Sequence, residues 1–432
     1  MNSINIGLVG AGTIGGGVIK ILAKQASFFQ EKLGLPVRLA RVADKNSALF
    51  ATLPIGDAIC TDSADDVLND PSINIVIELV GGTGFAKALV LRALNNKKHV
   101  ITANKALLSE FGPEIFACAE KNGVSVYFEA AVGGTMPTVK TAREALVGNE
   151  IQSVQTIING TCNYIMTKMT QEGAAFSDVL AAAQAKGYAE ADPTLDIGGG
   201  DTAHKVSIMA SLFFGGYVPY ESVYKEGITG IEAIDIAFAK KLGYSIKLLG
   251  VIKKDSGAGI EARVHPVLLH SEHILASVND VFNAMAIEGD ACGKILLYGR
   301  GAGELPTASA VISDVIDVAR NISENCPVRI PMGYYSEDNR LAVAPIAEIS
   351  TRYYLRFTVT DRPNVLASIA SQLADHAISI ASVIQQESSE NDTVPVVILT
   401  HTAKEKSLKA AVTAIEKMEF IKNATQVIRI ED

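Results

Sequence analysis

No run of apolar residues in this chain reaches the roughly 20 that a bilayer-crossing helix needs, so helical membrane spans are not expected. The strand-like INIGLVG starts within three residues of Met1, which leaves no room for a basic and then apolar leader, and no targeting segment is expected either. Positive charge is in short supply: 38 Lys and Arg stand against 47 Asp and Glu, a net charge of −9, which argues against a nucleic-acid partner. Cysteine is scarce and scattered. The five thiols (Cys60, Cys118, Cys162, Cys292 and Cys326) form no C-x-x-C pair and adjoin no histidine cluster, which argues against a disulfide frame or a zinc site and fits reduced thiols in the cytoplasm. Low-complexity tracts and array-type repeats are missing as well, which removes solenoid architectures. The partners left are small molecules.

What is present is an ordinary globular composition, 48% hydrophobic and 20% charged, over 432 residues, a length that suggests about three domains. From Ile4 to about Gly134, short apolar strands (INIGLV, VRLARVAD, INIVIELV, KHVITAN, VSVYFEA) alternate with helical segments. That alternation predicts an α/β fold with a doubly wound parallel sheet over residues 1–135. Strands such as IQSVQTIIN and KLLGVIKK mix with helices over 136–306, which suggests an α+β substrate domain, and residues 307–322 have helical apolar spacing. From 350 to 432, strand, helix, strand, strand, helix and strand follow in a ferredoxin-like βαββαβ order, with GYYSEDNRLAVAPIAEIS before them as a linker or joining strand.

The first strand runs into GAGTIGGGV, so Gly10, Gly12 and Gly15 form G-x-G-x-x-G between a strand and a helix. Such a turn lets a pyrophosphate approach backbone N–H groups at a helix N-terminus, with Thr13 and Ile14 nearest the phosphates, and it implies a dinucleotide. Asp44, after the second strand, suits the ribose hydroxyls of NAD, while Arg41 and Lys45 beside it suit the 2′-phosphate of NADP, so both cofactors stay open. The gap from Gly15 to Asp44 exceeds the usual ~20 residues and requires a long first helix or an inserted loop through Phe28 to Pro36. ELVGGT (78–83) and ITANK (101–105) end strands on the same edge, which makes Lys105 a candidate catalytic cation as well as a cofactor contact. FEAAVGGTMP (128–137) offers Glu129 and the backbone carbonyls of Val132, Gly134 and Met136, an oxygen set suited to a hard cation, or else a glycine hinge.

The densest chemistry lies in AKGYAEADPTLDIGGGDTAHK, residues 185–205. Three consecutive glycines, 198–200, let backbone approach a ligand closely, and DTAHK reads as a helix start that puts Asp201 and Lys205 one turn apart on one face. Glu190, Asp192 and Asp196 approach from the preceding loop, Asp192 serving equally well as a turn residue before Pro193. The order A-x-K-G-Y, E-A-D-P-T-x-D, G-x-D-x-x-x-K resembles the signature of homoserine dehydrogenases. The resemblance implies interconversion of L-homoserine and L-aspartate 4-semialdehyde with NAD or NADP. By that resemblance Lys205 donates the proton, Lys105 is its electrostatic partner, and Glu190 and Asp201 bind substrate, while the charge of Asp196 also suits the substrate's α-ammonium. Gly187 and Gly303, the latter in GRGAGELPTASAV, contact the cofactor, the 128–137 segment holds a monovalent ion such as sodium, and helix 307–330 returns to the nucleotide domain. It also implies that 136–306 carries dimerisation, in a homodimer or homotetramer. No aspartokinase-like portion precedes Met1, so a fused bifunctional enzyme is not expected.

DRPNVLASIASQLA, residues 361–374, resembles the strand-to-helix turn of ACT domains, with Asn364 where glycine is common, which implies an amino-acid effector such as L-threonine or a module that only oligomerises. Two rival readings remain at this point. Cys162 could form a thiohemiacetal in a cysteine-dependent semialdehyde dehydrogenase, although no histidine adjoins it in sequence, and a non-enzymatic sensor could also join a nucleotide domain to an amino-acid domain.

Overall fold

The computed structural model describes residues 3–255, 257, 259–385 and 393–431. It divides into two compact units, each built from separate stretches: Met1–Gln152, His204–Val223 and Phe282–Ala342 in the first, Ser153–Ala203, Tyr224–Val281 and Val343–Asp432 in the second.

The first unit opens with β1 (Ile4–Val9), α1 (Thr13–Leu33), β2 (Val37–Ala43), β3 (Ile59–Thr61), α2 (Ala64–Leu68), β4 (Ile75–Glu78), α3 (Gly84–Asn95), β5 (His99–Thr102), α4 (Lys105–Asn122) and β6 (Val126–Tyr127). All strand pairs are parallel in the order β3-β2-β1-β4-β5-β6. Ile4, Ile6, Leu8, Ile75, Val76 and Ile77 are fully buried, because helices cover both faces and the strands must be apolar on each. The long spacing to Asp44 is taken up by α1, which runs 21 residues before Gly34 ends it in the left-handed conformation. The expected return helix spans Glu304–Ser323 and buries Ala308, Val311 and Val315 in the core that holds Ile6, Leu8 and Val18. Strand order reverses between β1 and β4, and the carboxyl ends of those strands frame the crevice where such sheets bind ligands.

In the second unit, Ile151–Ile157 pairs antiparallel with Tyr244–Lys254, which pairs antiparallel with Ile260–His270. Helices Gly160–Glu172 and Phe176–Ala185 precede the loop that leads into the glycine run 198–200. The βαββαβ order is realised as Ser350–Thr360, Val365–Asp375, Ile380–Gln385, Thr393–Thr400, Glu405–Ile415 and Gln426–Glu431, with residues 386–388 of the expected third element outside the described residues. Its last strand pairs parallel with Ile260–His270 (Val267 opposite Arg429, Leu269 opposite Glu431), so the C-terminal strands continue the sheet of the second unit. The joining segment before it adds a bridge from Val343 to Ile260. No helix among the described residues is long and apolar enough to cross a membrane.

Candidate active site

The glycine turn shows which positions the protein itself restricts. Gly10 has φ of 100°, and a Cβ there would stand 2.6 Å from the Leu79 carbonyl. A Cβ on Gly15 would collide with the Gly10 carbonyl, whereas one on Gly12 would meet nothing within 4 Å. The first and third glycines thus serve the fold, and the second leaves open space at the start of α1, beside exposed Thr13 and half-buried Ile14. This is the room a pyrophosphate needs at a helix N-terminus. Asp44 holds the turn: its carboxylate accepts the Ala11 N–H at 2.6 Å and the Asn46 N–H at 2.8 Å. Arg41 points elsewhere, donating to Asp70 at 2.6 Å, so Lys45 is the exposed cation at the end of β2. Gly303, with φ of 131°, caps the return helix next to Glu304, whose carbonyl lies 2.9 Å from where a Cβ on Gly17 would stand.

A second network fixes Lys105. Glu78, fully buried at the end of β4, accepts the Thr102 hydroxyl at 2.6 Å and the Val80 N–H at 2.9 Å. Thr102 in turn accepts the Asn104 N–H at 3.0 Å. The Asn104 side chain caps α4 through the Leu107 N–H at 3.1 Å and donates to the Gly82 carbonyl at 2.6 Å. Lys105 is therefore the first residue of α4, at the positive end of the helix dipole, a place where a cation is locally disfavoured.

Helix Gly200–Phe214 carries Asp201 in its first turn and half-buried Lys205 one turn later. His204, 5% exposed, stacks on Tyr220 with ring centroids 3.9 Å apart, and its Nδ1 lies 2.6 Å from the Ser109 hydroxyl of α4. It is a packed, hydrogen-bonded residue tying the Lys205 segment to the Lys105 helix. Neither its stacking nor its bond to Ser109, 95 positions away, had a sequence signal.

In the second unit, Asn159 joins two of the expected acids: its side-chain NH2 donates to Asp196 at 2.6 Å and to Asp201 at 2.8 Å, while its oxygen caps helix Gly160–Glu172 through the Cys162 N–H. Two carboxylates bridged by one amide make a locally anionic pocket wall suited to an ammonium group. Glu190 and Gly187 stand exposed on the preceding loop, Gly187 with φ of 71°, and the Glu190 carbonyl accepts Gln184 at 3.1 Å. Asp192 accepts the Thr194 N–H at 3.1 Å, the turn role. Cys162 is fully buried with Sγ 3.2 Å from the Asp196 carbonyl, a packed thiol rather than an accessible nucleophile.

At the 128–137 segment the Glu129 carboxylate accepts the N–H groups of Val139 and Lys140 at 2.8 and 2.9 Å, and burial pushes its pKa up to about 7. Buried Asp314, which accepts the Glu129 N–H at 2.8 Å, is likewise raised by desolvation. The Glu129 side chain thus serves the backbone, and the oxygens beside it are carbonyls: that of Met136 accepts Thr138 N–H at 2.7 Å, and Gly134 packs on the carbonyls of Arg300 and Gly301. Thr138 Oγ1 is buried without a hydrogen-bond partner, facing Gly133, and no sequence signal marked it. No group of three or more His, Cys, Asp or Glu among the described residues could hold a metal.

In the C-terminal domain, Asn364 adopts φ of 69° as the cap of helix Val365–Asp375, the left-handed turn that asparagine tolerates. A cavity of about 260 Å³ opens at this turn, lined by Asp361, Arg362, Asn364 and Gln385 among others.

Family models match along the chain: one described as homoserine dehydrogenase, NAD binding domain, over residues 10–129, one described as homoserine dehydrogenase over 137–316, and an ACT domain over 353–420. The homoserine dehydrogenase of Neisseria gonorrhoeae is 44% identical, covering 100% of this chain and 99% of that one, and that of Pseudomonas aeruginosa is 41% identical with the same coverage. Among solved structures, a homoserine dehydrogenase from Thiobacillus denitrificans superposes with a TM-score of 0.94 at 42% identity, covering 100% of this chain and 98% of that one. The S. aureus homoserine dehydrogenase at pH 7.5 gives 0.76 at 31%, covering 100% and 99%. With these models set end to end along the sequence and relatives alike over its whole length, the chain belongs to the homoserine dehydrogenase family, nicotinamide-dependent oxidoreductases acting on a CH–OH group.

Proposed function

We propose that the amide-bridged acids Asp196 and Asp201, with Glu190, hold the α-ammonium of L-homoserine or L-aspartate 4-semialdehyde, and that Lys205 and Lys105 serve its reacting oxygen. The Asn159 bridge carries this reading, because it ties Asp196, before the glycine run, to Asp201, after it, in one fixed anionic wall. A nicotinamide dinucleotide held at the turn from Gly10 to Gly15 would supply or accept the hydride at the substrate carbon. In the reducing direction Lys205 gives a proton to the oxygen as its charge develops, and the Lys105 ammonium stabilises that charge. Gly10, Gly12, Thr13, Ile14, Gly15, Asp44, Gly187, Gly303 and Lys105 form the dinucleotide contacts, in domains bounded at 1–135, 136–306 and 350–432. The Asp44 carboxylate beside the turn suits unmodified ribose hydroxyls, and Lys45 suits a 2′-phosphate, so both NAD and NADP belong to the reading.

A monovalent cation such as sodium would be held by Glu129 and the carbonyls of Val132, Gly134 and Met136, and the unpartnered Thr138 hydroxyl supports an oxygen-seeking ligand nearby. The 260 Å³ cavity, with one acid and one arginine in its lining, matches the opposite charges of a free amino acid, here L-threonine. Leu296 and Tyr298, 39% and 56% exposed on the strand Gly293–Arg300, support a homodimer or homotetramer, placed in the cytoplasm. One set of assays tests these points: the full chain given L-homoserine with NAD or NADP, with and without sodium and L-threonine, beside light scattering. Turnover raised by sodium and saturably inhibited by threonine, from an oligomer, is expected. No turnover overturns the reaction, and indifference to sodium, indifference to threonine or a monomeric mass overturns the corresponding part.

A further inference from the structure

Arg429 sits on the last strand of the ACT domain and is 4% exposed, yet its guanidinium serves two parts of the second unit. Nε and Nη2 grip Glu405, the first residue of helix Glu405–Ile415, at 2.9 and 2.5 Å. Nη1 donates to Glu226 at 2.8 Å, and Glu226 also accepts the Tyr224 hydroxyl at 2.9 Å. Glu226 lies outside the ACT domain, directly after the short strand Tyr224–Lys225. Its N–H donates to the Val264 carbonyl at 2.8 Å, which fixes the backbone at that point.

The next two residues form the floor under the glycine run. The Ile228 N–H donates to the Ile197 carbonyl at 2.9 Å. Gly227 lies so close to Ile197 and Gly198 that a Cβ there would stand 2.7 Å from Gly198 Cα, and a Cβ on Gly199 would stand 3.3 Å from the Glu226 carbonyl. Asp196 precedes this contact and Asp201 follows it, both held by Asn159. A chain of contacts therefore runs from the ACT helix through Arg429 and Glu226 to the backbone that presents both acids.

We propose that Arg429 and Glu226 are positioning residues for homoserine, so that the ACT domain forms part of the support of the substrate site in addition to any effector it binds. This rests on the substrate reading of Asp196 and Asp201. A charge-assisted pair whose guanidinium is buried holds the geometry of the loop it fixes more than it adds stability, and its loss loosens what it holds.

The test uses the full chain with Glu226→Gln, Arg429→Lys and Tyr224→Phe, the last removing only one hydroxyl bond in case the others fail to fold. The expected result is a KM for homoserine raised roughly three- to tenfold in Glu226→Gln, a KM for the dinucleotide unchanged, and faster amide hydrogen exchange across residues 197–203. Tyr224→Phe moves the same two quantities in the same direction by less, and Glu226→Asp restores part of the loss. Unchanged exchange at 197–203 in a folded Glu226→Gln chain overturns the proposal, as does a rise shared equally by both KM values. Asp201→Asn separates the readings. If it leaves the homoserine KM unaltered, the substrate assignment is what fails, and exchange at 197–203 still decides whether Glu226 holds the segment.

Discussion

His99 is 6% exposed at the start of β5, and its Nδ1 accepts the Ser125 N–H at 3.1 Å, an arrangement that requires an unprotonated Nδ1. Burial lowers its pKa to about 4. Between about 6.5 and 4 the unfolded chain binds a proton here that the folded chain refuses, so this contribution is complete above pH 6.5 and is lost as pH falls through that window, with a slope of up to about 1.4 kcal/mol per pH unit. Chemical denaturation of the wild type and His99→Gln at several pH values between 4 and 7 checks this. The wild type is expected to lose stability more steeply towards acid, and parallel profiles would contradict the assignment. At this same scale, the sequence marked residue types better than partners. The run from Glu190 to Lys205 stood out by its acids and glycines, but Asn159 lies 37 and 42 positions from the carboxylates it bridges, and no local pattern encodes such a meeting. Arg41 was open to a cofactor phosphate by adjacency to Asp44 alone, and its pairing with Asp70 depends on a loop that packs back on the sheet.

At the scale of elements, the turn from β1 into α1 separates what the fold needs from what the ligand needs. Gly15→Ala drives a methyl into the Gly10 carbonyl and is expected to destabilise the chain by about 1–3 kcal/mol. Gly12→Ala meets no protein atom, so stability should change little while the dinucleotide Kd weakens. Thermal unfolding with fluorescence titration of NADH or NADPH distinguishes them, and a Gly12→Ala chain that binds as tightly as wild type would remove the pyrophosphate from this turn. Elements such as β1, α1 and the ACT helices were legible because period and punctuation agree along them, with Gly34 stopping α1 and Asn364 opening the first ACT helix. Asn104 capping α4 was readable in principle from the T-A-N-K order before a helix.

For the whole molecule, the parallel pairing of Val267 with Arg429 is the least legible feature, since it joins strands some 160 positions apart and shows only as an edge strand finding a neighbour. That pairing makes the C-terminal strands an extension of the sheet that holds Ile151–Ile157 and Tyr244–Lys254. The ferredoxin-like order alone suggested a separable module. On the proposed reading, homoserine oxidation depends on Lys205, one turn after Asp201 on helix Gly200–Phe214. The most direct measurement is the steady-state reduction of NAD or NADP by L-homoserine in the full chain and in Lys205→Ala, with dinucleotide Kd measured on the same samples. A fall in kcat of roughly 10²- to 10⁴-fold with Kd unchanged is predicted for loss of the proton donor. A Lys205→Ala chain that turns over within a few fold of wild type would contradict the account.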